Sequence, residues 1–353
     1  MSINGKKHSK RMLNVLKSIL YYQNRVRRED PRCIISFPNA AVLSCPRRPS
    51  LILKRRLHLH LLVNLEARHD LNSTLADWGL DGVTWTMYSF EQHRSKVDWI
   101  PNSHWAGISA LIKLTLTTVL PEWIEKVIVM DTDVLLNHDI AELWDHFDQF
   151  TDEQIIGYAW EQNSESPTCN EPGVRTIPVY GINGGLGLLH LKRMRQTNWD
   201  NLWLTTVDRI LGMRYELYQN DQEVIRAIIR QYPQFYYKLP CEWNVQIYAD
   251  VASECCPSVW PLRYPDQVDC WSELYPDAKF RPAKLIHYDT KFKPGDTDDP
   301  FDLPPITWAI GRKLESKCRK VMYYQVTCKS HCLAFCKWLL VYSLPFLTYL
   351  HFM

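Results

Sequence analysis

One stretch, 126–136, constrains the fold more than any other. The apolar run Val127-Ile-Val-Met130 passes straight into Asp131-Thr-Asp133 and then into Val134-Leu-Leu136. A continuous apolar run of this kind reads as a buried, parallel-type strand. In open α/β sheets, ligands sit beyond the carboxyl ends of the strands. Alternation along the strand then turns Asp131 and Asp133 toward one face. Two neighbouring carboxylates repel unless a cation joins them. A hard divalent ion that also binds a diphosphate suits such a pair. The competing reading is a strand-end turn with capping aspartates. Asp296-Thr-Asp298 repeats the triplet among Pro294, Gly295 and further aspartates, with no strand before it, and reads as a solvated loop.

The chain of 353 residues is 46% hydrophobic and 23% charged, enough for one large α/β core or two modest ones. A net charge of +2 argues against a large basic nucleic-acid surface. No zinc-finger spacing, heptad seam or internal repeat is present. The 14 Trp and 18 Tyr suit a protein that stacks on sugar rings, although aromatic cores are the commoner source of such numbers. Cys241, Cys255 and Cys256 cluster, with Cys270 a short loop away, and no CxxC pair suggests zinc. The spacing favours a disulfide from Cys241 to Cys255 or Cys256, and with it an oxidising compartment, over free core thiols. Asn72-Ser-Thr74 is an N-glycosylation sequon consistent with that compartment.

In chain order, Met1 to Lys10 is polar and basic, without the apolar core of a signal peptide. Met12, Val15, Leu16, Ile19 and Leu20 mark an amphipathic helix from Lys10 to Tyr22, with Ser9 as a candidate N-cap. Glu29 to Lys54, with Pro31, Pro38, Pro46 and Pro49, reads as a structureless insertion. Leu57 to Val63 alternates as a strand, with His58 and His60 on one face at the solvent or the core edge. A short helix from Leu71 to Trp78, a strand from Val83 to Tyr88 and a long helix from Ala106 to Leu120 follow. Lys113 lies among apolar neighbours in that long helix. Its stem either snorkels to water or its ammonium faces an anion. Asp139 to Phe150 reads as a helix and Gln154 to Ala159 as a strand.

Glu161 to Gly173 is a polar loop. Gly181-Ile-Asn183-Gly184-Gly185 precedes a strand from Leu186 to Leu191. Paired glycines there let backbone approach a ligand, or form a tight turn. Asn183 offers a donor and an acceptor to sugar hydroxyls. Asp221 and Gln222 precede a helix from Glu223 to Tyr232, which Asp221 could cap. Phe235 to Leu239 reads as a strand and Cys241 to Asn244 as a turn. Lys284 to Ile286 is a short strand ending at His287, with Lys291 and Lys293 beyond. Imidazole suits a metal ion, and ammonium suits phosphate.

These motifs together carry a family resemblance. Asp98-Trp-Ile-Pro-Asn-Ser-His104, Ala110-Leu-Ile-Lys113-Leu, Glu125 to Asp133, Asp139-Ile-Ala-Glu-Leu-Trp144 and Leu239-Pro-Cys-Glu-Trp-Asn-Val-Gln246 resemble the first catalytic domain of LARGE-type xylosyl- and glucuronyltransferases, within glycosyltransferase family eight. The likeness runs over 10–22 and 57–293.

The resemblance implies an α/β GT-A fold with a Rossmann-like nucleotide-binding sheet in a domain spanning 1–310. It implies a retaining transfer from a UDP-sugar, UDP-xylose in the most similar proteins, with manganese (Mn2+). Asp131, Asp133 and His287 match the metal ligands. Lys293 matches a phosphate-binding lysine, and Lys113 the lysine that contacts the donor. Asn183 and Gly184 match the turn against the sugar, and Asp221 and Gln222 the pair near the reacting carbon. It further implies a glycan acceptor on a glycoprotein, as in matriglycan synthesis on dystroglycan, and a membrane-associated place in the Golgi lumen.

The family pattern differs from this chain in three places. A full strand precedes the first helix in the family, and here only Met1 to Ser9 does, so an unpaired sheet edge is expected beside the nucleotide site. The insertion at 29–54 is atypical. The tail from 311 is cysteine-rich and then apolar, and its last stretch, Trp338 to Met353, is shorter than the ~20 residues of a spanning helix. The alternatives are a glucoside xylosyltransferase, or a domain that only binds a glycan or partner.

Overall fold

The computed structural model describes residues 1–3, 5–23, 25, 35–36, 42–43, 55–80, 82–162, 181–246, 256, 258–259, 281–289 and 293. Most of the 29–54 insertion, the Glu161 loop after Gln162, Cys255, Cys270, Lys291, the Asp296/Asp298 triplet and the tail from 311 lie outside the described residues.

The elements are β1 (Ser2–Ile3), α1 (Gly5–Tyr22), β2 (Ile35–Ser36), β3 (Val42–Leu43), β4 (Leu57–Val63), α2 (Leu65–Asp77), β5 (Val83–Ser89), α3 (Phe90–Arg94), α4 (Ile108–Leu111), α5 (Leu116–Val119), β6 (Val127–Met130), β7 (Val134–Leu136), α6 (Ile140–Trp144), β8 (Ile156–Trp160), β9 (Ile182–Leu189), α7 (Leu191–Gln196), α8 (Trp199–Met213), α9 (Asn220–Gln231), β10 (Tyr236–Lys238), β11 (Val245–Gln246), β12 (Ser258–Val259), β13 (Arg281–Pro282) and β14 (Leu285–His287).

Three sheets position the site, with strand orders β1-β4-β5, β10-β8-β9-β6 and β11-β14-β7. In the second, β9 runs antiparallel to both β8 and β6. The apolar run of β6 therefore ends in an antiparallel pairing, not the parallel-type one expected. Val127 and Ile128 are only half-buried, because one edge of β6 has no partner strand among the described residues. That edge and β4 face each other across a cavity of about 450 Å3, lined by Leu59 and Leu61 on one side and Ile128 and Met130 on the other. The expected unpaired edge is thus present. Against expectation, the segment before the helix does form a strand: β1 pairs in parallel with Leu62 and Val63, closing one end of the gap.

Helix ends also differ from the reading of the sequence. The first helix starts at Gly5, and Ser9 caps nothing: its hydroxyl donates to the Gly5 carbonyl. Asn64 caps α2 by accepting from the Ala67 amide, so that helix begins well before Leu71. The expected helix over 106–120 is broken into α4, a 3-10 turn at Ile112–Thr115 and α5. Thr115 and Thr118 bond back to the carbonyls of Ile112 and Thr115, competing with the helical ladder. Asp139 to Phe150 divides similarly into α6, capped by Asp139, and a 3-10 turn. Asn183, Gly184 and Gly185 sit inside β9 itself, which is buried along its whole length.

One core lies between α8, α9 and the β8-β9-β6 sheet, built on Trp199, Trp203, Ile225, Ile228 and Tyr158. A second packs α1 against β7 and the aromatic residues Phe147, Phe150 and Trp243. Cys241 and Cys256 form a disulfide, which settles the pairing left open between Cys255 and Cys256. Among the described residues no helix is long and apolar enough to cross a membrane.

Candidate metal and diphosphate site

Two ladders assemble the site. The β6–β9 register brings Met130 opposite Leu186, and one step further the Asp131 amide donates to the Gly185 carbonyl at 2.9 Å. The antiparallel β7–β14 pair sets Val134 opposite His287, and the Tyr288 amide donates to the Asp133 carbonyl at 2.9 Å. The turn Asp131-Thr-Asp133 between β6 and β7 thus delivers one carboxylate to each ladder. Ligand atoms of Asp131, Asp133 and His287 all lie within 4.8 Å of one another.

Glycine is required beneath the imidazole. A Cβ on Gly185 would lie 2.4 Å from His287 ring atoms, so the ring rests directly on backbone. The paired glycines therefore admit protein groups: His287 on Gly185, and Asp221 and Gln222 on Gly184.

Each carboxylate has its own lysine. Lys113 Nζ lies 2.7 Å from Asp131 Oδ1 and 3.9 Å from Asp221 Oδ2, and donates to the Gly184 carbonyl at 2.9 Å. It faces anions and does not snorkel. Burial disfavours its ammonium, but Asp131 and Asp221 outweigh burial and hold its pKa above the ordinary lysine value. Lys293 Nζ, almost fully buried, lies 2.6 Å from Asp133 Oδ2, donates to the Tyr288 carbonyl and stands 4.9 Å over the Trp105 ring. Burial works against the charge on Asp133 as well. His287 and Lys293 outweigh it, and the carboxyl stays well below the usual carboxylate range.

Asp221 behaves differently. It is not a helix cap; it sits in the first turn of α9, 2% exposed. Burial, reinforced by Asp131 and opposed by Lys113, pushes its carboxyl up to about 6. The preceding Asn220 is held at φ 49°, in the left-handed region, with its amide against His104. Gln222 follows Asp221 onto Gly184.

The donor set suits a hard divalent ion: two carboxylates and an imidazole converge, and Asp133 Oδ1 is buried without a hydrogen-bond partner. His287 Nε2 stands 3.4 Å from that oxygen. The chemistry this permits is the binding of a diphosphate through a cation, with ammonium groups on either side. His58 and His60 are elsewhere, bonded to Thr84, Thr86 and Tyr88.

Three residues that the sequence did not single out for the site complete it. Asn244 and Glu161 bond to Asn183, and Trp105 covers Lys293. Asn244 lies inside the Leu239–Gln246 motif, so a signal existed for it; Glu161 and Trp105 gave none.

Fold and site together define a glycosyltransferase domain of GT-A type. The match to the family model Glycosyl transferase family 8 covers residues 59–297, and the chain belongs to that family. It is 37% identical over 205 residues to mouse (Mus musculus) xylosyl- and glucuronyltransferase LARGE2, covering 58% of this chain and 30% of the relative. It is 36% identical over 211 residues to human (Homo sapiens) LARGE1, covering 59% and 28%. The chain thus spans under a third of the length of these relatives. In fold it is similar to mouse xyloside xylosyltransferase 1, with a TM-score of 0.53 at 18% identity, covering 82% of this chain and 96% of that one. The galactosyltransferase LgtC, solved with donor and acceptor sugar analogues, gives 0.52 at 15% identity, covering 91% and 100%.

Proposed function

We propose that this domain transfers xylose from UDP-xylose, with manganese and with retention, onto a glycan acceptor on a glycoprotein, as in matriglycan synthesis on dystroglycan. One observation carries the reading: Asp131, Asp133 and His287 converge at the end of β6, between the half-buried Lys113 and the buried Lys293. Bound there, the cation would neutralise charge on the diphosphate as the glycosidic bond breaks.

The protein's own groups do the rest. Lys293, on the Asp133 side, and Lys113, on the Asp131 side, place ammonium charge where the leaving phosphate develops its own. Gly184 carries Asp221 and Gln222 on its bare backbone, so both side chains reach the same side of the site as Lys113. Asp221 has one buried oxygen without a hydrogen-bond partner, suited to a donor-sugar hydroxyl. We assign it orientation, not nucleophilic attack. On this reading the acceptor oxygen bonds to the anomeric carbon on the face that the phosphate oxygen leaves, and its proton passes to that oxygen. Trp105, 74% exposed beside Lys293, offers a face for sugar stacking.

The donor assignment draws its support from the relatives named xylosyl- and glucuronyltransferase. A Golgi-lumenal location draws support from the Cys241–Cys256 disulfide. The Asn72 sequon adds little to it: the residue lies mid-helix in α2 and accepts from the Trp85 indole. The test is donor hydrolysis with UDP-xylose, UDP-glucose and UDP-galactose, with manganese and after chelation. Manganese-dependent UDP release fastest from UDP-xylose is expected. Faster release from another donor overturns the donor assignment. No release from any donor supports the binding-domain alternative, for which the open gap between β4 and β6 is the specific observation.

A further inference from the structure

The third metal ligand is held by a buried amide whose orientation can be read from backbone alone. Asn183 Oδ1 lies 3.1 Å from the Gly185 amide nitrogen, 2.9 Å from Asn244 Nδ2 and 2.9 Å from His287 Nδ1. A backbone N–H can only donate, so the atom facing Gly185 is the amide oxygen. The other end of the amide agrees, because Asn183 Nδ2 donates to Glu161 Oε2 at 3.2 Å. An oxygen only accepts, so His287 Nδ1 must carry a proton. Nε2, the ring atom nearest Asp133, is then the nitrogen left to offer a lone pair.

We propose that Asn183 is a positioning residue that fixes His287 as the Nδ1–H tautomer, so that Nε2 is the metal ligand. The proposal rests on the metal-site reading above. It moves Asn183 from contact with the donor sugar, as the resemblance implies, to control of the metal ligand behind it. The amide oxygen has little left for a sugar, since it takes three donors; one of the two Nδ2 protons serves Glu161, and the side chain is 4% exposed.

The surroundings are built to keep it there. Asn244 is fully buried, and its backbone amide donates to the Cys241 carbonyl in the turn that the disulfide anchors. β11 pairs in parallel with β14 at Gln246–His287, which ties that turn to the imidazole strand. Gln162 and Gln246 lock the same region by reciprocal side-chain to backbone bonds at 3.0 Å. A ligand histidine whose second nitrogen is fixed pays no tautomer cost on binding, and loss of such a partner typically lowers metal affinity by about 10–100-fold.

Two measurements test this. The first needs no substitution. Long-range 1H–15N correlation of the Mg2+-loaded wild-type protein should show His287 with Nδ1 protonated and Nε2 unprotonated. The reverse pattern overturns the proposal and leaves the metal reading standing. The second is Mn2+ affinity without nucleotide, read from the free-ion paramagnetic resonance signal. Asn183→Ala should weaken Mn2+ binding about 10–100-fold. The double change Asn183→Asp, Glu161→Gln exchanges the carboxylate and the amide, keeps every donor facing an acceptor, and should stay within about threefold of wild type. Wild-type affinity in Asn183→Ala overturns the proposal. If that variant does not fold, the wild-type spectrum decides. Absence of any Mn2+ or Mg2+ binding by the wild type overturns the metal reading itself, and the proposal with it.

Discussion

The two ends of β6 are finished to different degrees. At its carboxyl end, Asp131 and Asp133 enter ladders with β9 and β14, and the site's own carboxylates, Asp133 and Asp221, each keep one buried oxygen without a hydrogen-bond partner. Among the described residues, the open edge of β6 meets a cavity of about 450 Å3, and β4 across it is paired on that side only at Leu62 and Val63. The candidate metal site is built from a turn, a glycine pair and two ladders that lie wholly within the described residues. The flank beside it is not completed in the same way. The Met1 amino group shows the consequence: it donates to the His60 carbonyl inside the gap, and burial pushes its pKa down to about 6.

The largest expected effect lies at the finished end. Lys113→Met removes the cation between Asp131 and Asp221 and should lower kcat for donor hydrolysis by about 10^2–10^3-fold. An unchanged kcat would remove Lys113 from the diphosphate side. Next is the disulfide behind Asn244. Cys256→Ser should destabilise the domain by about 3 kcal/mol, given a loop of 15 residues, as read from denaturant unfolding under non-reducing conditions. All-free thiols in peptide maps of secreted protein would contradict the pairing.

A smaller effect belongs to the open flank. The Met1 amine has a folded pKa of about 6 against 8.0 unfolded, so between these values the unfolded state binds more protons. Stability from this group therefore rises with pH from 6 to 8, by up to about 2–3 kcal/mol. Acetylating the amine should flatten that part of the slope; an unchanged slope would show that the amine is not buried in the gap. The smallest expected effect is on base recognition. With the flank open, manganese-dependent affinities for UDP, ADP and CDP should differ by less than about tenfold, or ~1.4 kcal/mol. A hundredfold preference for UDP in the chain as it stands would show that the gap is irrelevant to the base.

The sequence made the finished end legible because its chemistry is compact. The Asp131/Asp133 pair, His287 after a short apolar strand and Lys113 among apolar neighbours each break a local pattern. Lys113 could not be assigned from its own neighbourhood, because a snorkelling and an anion-facing lysine look alike in sequence; only the resemblance to the family separated them. Asn183 is the reverse case. Its donor and acceptor were visible, but their partners, Glu161, Asn244 and His287, are 22, 61 and 104 residues away. No local pattern reports contacts at such separations. The broken helix over 106–120 was missed for a different reason: apolar periodicity continues through the 3-10 turn at Ile112–Thr115.

Calorimetry of UDP binding with and without Mn2+, on wild type and on Asp131→Asn, Asp133→Asn, tests the central claim most directly. The structure predicts that wild type binds UDP with a strong Mn2+ dependence. It predicts that the double variant keeps its circular dichroism spectrum and loses that dependence. The same Mn2+-dependent UDP affinity in both proteins would contradict the claim that the end of β6 is where this domain grips the diphosphate.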